Sequence, residues 1–433
     1  MKKAFSLILV ALMTAAVASG CSQQTETPSS GGANSSSGGS ESTQTAEVVE
    51  LDLQTMTGDQ YYFDQAIEVY NEKFPQYHVT PNYTVKDEYY DKVLTMFSGR
   101  AEFDIVAMNG IQYILDYSNK NAVMDLTDMI ERSDIDTSKY GAIYQDVVEA
   151  TGGKSYGIPY RSTAWALFYN KTIFENEGID YPEQMTWSEY AELAKKLTKG
   201  EGANKQWGGY WYDDDCLTLA KQTGNTLLDD DLTPVRESLE FVNQLYNVDQ
   251  SMMSLQEKTA TQSYFITEFE KGNIAMFPNG DWCVSLLMRD KEDGKHDIDW
   301  DVAPYPVPDG VPAGTSYGGQ IFIGIPQTSQ KSEAAFHFIQ WLTSEEGQSI
   351  IAENGILTGY IDDNVKEAFI EGSGHDSVGV FFEQSLLLDA PIDTRYPEIQ
   401  NIWKEESNLY LLGEQDLDTT MANFENRRSD ILK

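Results

Sequence analysis

Gly153-Lys154-Ser155 closes as a phosphate-cradling loop closes, with a lysine and a hydroxyl spaced to meet phosphate oxygens and a magnesium ion. That loop needs its first glycine at position 148, where Val148 stands, so the chain encodes no nucleotide hydrolysis of its own. Asp297, Asp299 and Asp301 are spaced like the opening ligands of a calcium loop, yet the sixth position is Val302 where such a loop turns on glycine. The wet face of a strand accounts for them better. His78, His296, His337 and His375 form no metal-spaced pair, the three cysteines form no Cys-x-x-Cys motif, and no Gly-x-Ser-x-Gly elbow occurs. The expectation is therefore no metal, no cofactor and no serine hydrolase. With 69 acidic residues, a glycosidase pair stays open, since two carboxylates need only meet in space. Turnover separates that case from plain binding: an enzyme releases product, a receptor returns its ligand intact.

A second group of polar residues falls where the hydrophobic pattern ends its strands. Val48 to Met56 alternates as a strand, and the turn after it carries Asp59 and Gln60, with Thr57 and Gln60 at capping-box spacing. Phe63, Ala66, Ile67, Tyr70 and Phe74 then recur at helical spacing up to Pro75. Residues 79–85 suggest a second strand; Tyr90, Val93, Leu94 and Phe97 mark a helix closing at Gly99; residues 103–108 read as a buried third strand followed by Asn109 and Gln112. This order predicts an α/β fold with a mainly parallel sheet covered on both faces, and open sheets of that kind bind ligands at the carboxyl ends of their strands. Asp59 and Gln60 thus read equally as helix caps and as ligand contacts.

A second alternating region begins with an extended apolar run over residues 160–170. Thr186 stands at capping-box distance from Glu189 ahead of an apolar stripe of Trp187, Tyr190, Ala194 and Leu197. Thr233-Pro234 opens a further helix with proline in its first turn, residues 297–302 alternate as a strand, and a last helix follows Ser332. No fixed-period repeat is visible.

The 433 residues suit two or three domains, and 41% hydrophobic residues can fill their cores. A net charge of −39 repels phosphate backbones, which excludes nucleic acid as a partner. Lys2, Lys3 and the apolar run that follows have the organisation of an export signal over residues 1–20, too short for a spanning helix. The small residues ending at Cys21 resemble a bacterial lipobox, with Ala18 in place of the usual leucine, which implies a lipidated Cys21 on the outer face of the cytoplasmic membrane. Residues 21–45, rich in Ser, Thr and Gly, are expected to form a leash of roughly 25 to 30 Å. Cys216 and Cys283 remain for the folded part; pairing in an oxidising exterior is open to them, with buried free thiols the preferred reading.

Gly157-Ile158-Pro159-Tyr160 through Tyr169-Asn170-Lys171 resembles the Gly-x-Pro…Tyr-Asn-Lys block of the family 1 extracellular solute-binding proteins, the receptors of carbohydrate ABC importers. Thr186-Trp187-Ser188-Glu189, then Phe269 to Met276 with Gly280-Asp281-Trp282, then Gly318-Gly319 through Ile325-Pro326 and Ser344-Glu345-Glu346-Gly347, are similar to further blocks of that family and follow its order. The resemblance implies a maltose-binding-protein-like fold: two α/β lobes joined by hinge segments near residues 161–163, 318–320 and 359–363. Lobe one would comprise residues 46–160 and 319–362, and lobe two residues 161–318 and 363–433.

It also implies a ligand cleft. A pyranose offers flat C–H faces to aromatic rings and a belt of hydroxyls to carboxylates, amides and guanidinium groups. Trp282 stands at the family's stacking position, with Asn279 and Asp281 beside it, and Trp211, Tyr212 and Asp213 fall where a second aromatic platform is expected or else form a solvated acidic turn. Arg161, Tyr317 and Gln320 flank the hinge, and Arg395 is carried over more loosely. An aromatic-rich and carboxylate-rich cleft favours a neutral polyol. The function implied is capture of a sugar or oligosaccharide by a monomeric, lipid-anchored receptor that delivers it to an ABC permease with a separate ATPase. A receptor for a polyamine, peptide or metal chelate, or a surface sensor, is the alternative within the same fold.

Overall fold

A computed structural model describes residues 47–212 and 215–433. The export signal, Cys21 and the leash lie outside the described residues, as does Asp213.

Strand β1 (Val49–Met56) pairs in parallel with β2 (Tyr77–Thr84) and with β3 (Ile105–Met108), and the helices Gln60–Lys73 and Lys86–Ser98 connect them. Each boundary lies within a few residues of the hydrophobic pattern, because the buried residues Phe63, Ala66, Ile67 and Tyr70 share one helical face. The proposed capping box at Thr57 does not form. Residues Thr57–Asp59 make a tight 3-10 turn whose first carbonyl accepts the Gln60 N–H, and the Gln60 side chain reaches Asp64 at 3.2 Å instead. At Thr186 the box is present: the Glu189 N–H meets the Thr186 hydroxyl at 3.2 Å, and the Glu189 carboxylate accepts the Thr186 N–H at 2.8 Å. Pro234 sits in the first turn of the helix Thr233–Asn243.

The remaining strands are β4 (Ile158–Asn170), β5 (Trp207–Gly209), β6 (Ile274–Gly280), β7 (Trp300–Ala303), β8 (Thr315–Gly324) and β9 (Ser385–Leu388). Their order is β2-β1-β3-β8-β4-β6-β5, with β7 on β4 and β9 on β8. The pairing is mixed. The βαβ segments give the expected parallel ladders, whereas β8 returns antiparallel to β3 and β4, and β4 is antiparallel to β6 and β7. The alternation over residues 297–302 forms a strand only from Trp300, where β7 pairs with β4.

The buried apolar residues form separate clusters. Leu53, Phe63, Ile105, Phe322 and Phe338 pack around β1, β3 and the end of β8. Trp187, Leu239, Met276, Trp403 and Phe424 make a second cluster, and Phe168, Phe269, Phe277, Trp300 and Phe369 a third on the other face of β4 and β6. Chain segments distant in sequence thus share each core, and long β4 and β8 run through more than one. Cys216 and Cys283 are both buried, and no disulfide joins them.

Candidate cleft

Between these cores lies a cavity of about 600 Å³. Its wall is made from strand ends: Gly58, Asp59 and Tyr61 after β1, Asn109 after β3, Tyr210, Trp211 and Tyr212 after β5, and Trp282 after β6. Arg161 and Thr163 reach it from β4, and Ile321 from β8. The β4–β8 register shifts between Pro159 and Arg161, an irregularity of the kind that turns a side chain out of its strand's regular alternation.

Aromatic surface dominates one side. Trp282 opens the helix Trp282–Glu292, and its ring meets Trp165 edge to face at 5.4 Å and Tyr212 at 5.9 Å; Tyr212 in turn lies 4.5 Å from Phe265. Gly280 is what makes room for that indole: a Cβ there would stand 2.1 Å from a ring carbon of Trp282. Trp211 borders the cavity but is 1% exposed and packs on Trp187, so it backs the wall.

The polar floor centres on Arg161, which lies 3.5 Å from Asp281 and 3.8 Å from Asp59. Burial pushes the Asp281 carboxyl up to about 6, against the opposing pull of Arg161 and of the Ala164 and Leu357 N–H groups that it accepts. Burial works against the charge of Arg161 too, but Asp281, Tyr62 and Asp59 outweigh it and raise its pKa. Tyr61 is pushed up to about 12 by burial; its hydroxyl meets Ser285, and Arg289 lies 4.9 Å over its ring.

Of the residues singled out from the sequence, the structure brings Asp59, Asn109, Arg161, Trp211, Tyr212 and Trp282 to this cavity. Asp281 is fully buried beside Arg161 and absent from the lining. Asn279 is also fully buried, in register with Ala166 of β4, and its side-chain oxygen accepts the Gly280 N–H at 2.7 Å. Gln60 is exposed, Gln112 packs against Gly110, and Gln320 donates to the Tyr140 carbonyl at 2.7 Å. Tyr317 is buried with its hydroxyl 3.1 Å from Thr218, and Arg395 makes a forked pair with Asp393 at an exposed position. Among the described lining residues Asp59 is the one carboxylate, joined by Lys86, Arg161 and Lys258, while Asp213 lies outside the described residues. Asp281 is instead taken up by backbone amides and Arg161.

Tyr61, Tyr210, Tyr264, Phe265 and Lys258 also line the cavity, and no local sequence pattern marks them. Tyr61 was the most accessible of these to sequence reasoning, since it shares the first strand-to-helix turn with Asp59. No group of three metal-ligating side chains and no helix long and apolar enough to cross a membrane occurs among the described residues.

Known proteins resemble this chain in sequence and in fold. The mannitol-binding protein of Pseudomonas aeruginosa is 24% identical over 212 residues, 46% of this chain. The match spans about half of that relative's length, 48%. A sugar transporter protein from Rhizobium etli, solved in an open conformation, superposes with a TM-score of 0.76 at 24% identity, covering 87% of this chain and 98% of that one. An ABC substrate-binding protein from Listeria monocytogenes, in complex with cycloalternan, gives 0.77 at 21% identity over 88% of this chain and 98% of its own. These likenesses establish a two-lobed periplasmic-binding-protein fold. The family profile matches residues 54–349, and the chain belongs to the bacterial extracellular solute-binding proteins.

Proposed function

We propose that this protein is the receptor of an ABC importer, capturing a sugar or oligosaccharide in the cleft and delivering it to a membrane permease whose ATPase is a separate subunit. The observation that carries the reading is the indole of Trp282 bordering the cleft beside Tyr212, with the Arg161–Asp59 pair at the floor. Flat apolar faces next to fixed polar groups match the two surfaces of a pyranose ring. Relatives described as binding mannitol and cycloalternan support a polyol ligand.

In this reading Asp59, Asn109, Arg161, Tyr212 and Trp282 contact the ligand. The lobes, residues 46–160 with 319–362 and 161–318 with 363–433, close about it as rigid bodies. Capture requires no bond to break, so the protein is not an enzyme. Lipidation at Cys21 would hold it, as a monomer, at the outer face of the membrane. A thermal-shift screen against mono- and oligosaccharides, polyamines and peptides tests the proposal. A ligand at 100 times its dissociation constant adds about 2.7 kcal/mol of stability. A rise with one class of sugar is expected, whereas shifts confined to polyamines or peptides would discard the carbohydrate.

A further inference from the structure

At the floor of the cleft one buried cation stands between two buried carboxylates from distant parts of the chain. Arg161 is 8% exposed, Asp59 2% and Asp281 0%. The guanidinium lies 3.8 Å from Asp59 and 3.5 Å from Asp281. Charge-assisted N–H···O bonds close at about 2.7–2.9 Å, so neither contact is drawn in fully. Arg161 Nε is buried without a hydrogen-bond partner in a side chain that lines the cavity. A buried, unpaired donor on an ionised group is costly, so the two carboxylates alone do not satisfy this guanidinium.

The carboxylates are anchored independently of the cleft. Asp59 accepts the Thr55 hydroxyl at 2.9 Å and the Tyr160 hydroxyl at 3.3 Å. Asp281 accepts the N–H of Ala164 at 3.3 Å and of Leu357 at 3.4 Å. Each carboxylate thus has partners of its own besides Arg161, which stands between them.

We propose that Asp59 and Asp281 are positioning residues that suspend the Arg161 guanidinium between the two walls of the cleft, holding it in place for a ligand oxygen and tying capture to the placement of those walls. The inference rests on the solute-capture reading: it adds a positioning task to Asp59, which lines the cleft, and gives the same task to Asp281, which lies behind the lining.

Asp281 makes the bridge pH-sensitive. The groups facing it are Arg161 and Cys283, and around Arg161 stand Asp59, Tyr61, Tyr62 and Tyr160. Its pKa of about 6 means that acidification through that value removes one of the two charges holding Arg161.

The test is a pH titration of tryptophan fluorescence in the ligand-free protein, since Trp282 adjoins Asp281. A transition near pH 6 is expected in the wild type, absent in Asp281→Asn and moved to higher pH in Arg161→Gln, where the lowering influence of the guanidinium is gone. No transition in the wild type, or one that Arg161→Gln leaves in place, would overturn the bridge. If Asp281→Asn does not fold, the Arg161→Gln comparison decides alone. With whichever sugar stabilises the wild type in the screen, Arg161→Lys, which keeps the charge and loses the fork, is expected to bind about tenfold or more weakly while keeping a cooperative thermal transition without sugar. Undiminished binding would overturn the role of the guanidinium fork. Should no sugar stabilise the wild type, the receptor reading falls, while the ligand-free titration still decides the charge bridge.

Discussion

A Cβ placed on Gly280 would lie 2.1 to 2.5 Å from three ring carbons of Trp282, so the glycine is part of the indole's seat. Gly280→Ala should therefore weaken ligand binding although the tryptophan is still present, and Trp282→Ala should weaken it by about tenfold or more, roughly 1.4 kcal/mol of lost contact. Titration calorimetry with the sugar found in the screen checks both; a Gly280→Ala variant that binds normally would show the ring has another place to go. Away from the cleft, Glu270 has 9% of its side chain exposed, with His296 3.9 Å away. Burial first, then the neighbouring Asp290, pushes its pKa up to about 7. Folded Glu270 thus holds its proton more tightly than the unfolded chain does. Its contribution is full below the ordinary carboxyl range and is lost as pH rises through about 7. Urea midpoints should fall over that window, and Glu270→Gln should flatten the fall.

At the scale of elements, the capping box and the close strand contacts carry different weights. Thr186→Ala removes a side-chain acceptor at an exposed helix start and should cost about 1 kcal/mol, without touching ligand affinity. Gly318 lies where β8 meets β4, and a Cβ there would stand 1.9 Å from the Thr163 carbonyl oxygen. Gly318→Ala must push the two strands apart and should cost about 1–3 kcal/mol. Because Arg161 and Thr163 line the cleft from the same stretch of β4, it should also weaken binding. Denaturation and binding measured on the two variants separate these effects. The glycine pair at 318 and 319 was visible in the sequence, but the identity of its neighbour was not: that depends on an antiparallel pairing between segments about 155 residues apart.

Over the whole molecule, the net charge of −39 imposes self-repulsion on the folded state that salt should relieve. Raising ionic strength from low to physiological is expected to raise the melting temperature of the ligand-free protein; a flat or falling response would mean that local ion pairs outweigh the global term. The cores also explain why the candidate cleft was legible only in part. Strand ends at Asp59 and Asn109 could be read because hydrophobic period and turn residues are local properties, and the sheet brings such ends together. Trp282 was legible only from the family resemblance of its motif block. Tyr264, Phe265 and Lys258 come from short helical and loop segments whose approach to the cleft is set by packing across chain separations that no local pattern records.

Hydrophobic period, capping residues and ordered motif blocks suffice to determine the alternating α/β elements and the family they belong to, since each depends on neighbours a few residues apart. Tertiary structure alone decided that Asp281 and the side-chain oxygen of Asn279 accept backbone N–H groups at the end of β6, that Arg161 stands between two carboxylates, and that Trp211 borders the cleft while packed on Trp187. The physical reason is the same in each case. A buried polar group must find partners, and which partners lie within reach is a property of strands and helices that meet only after the chain has folded.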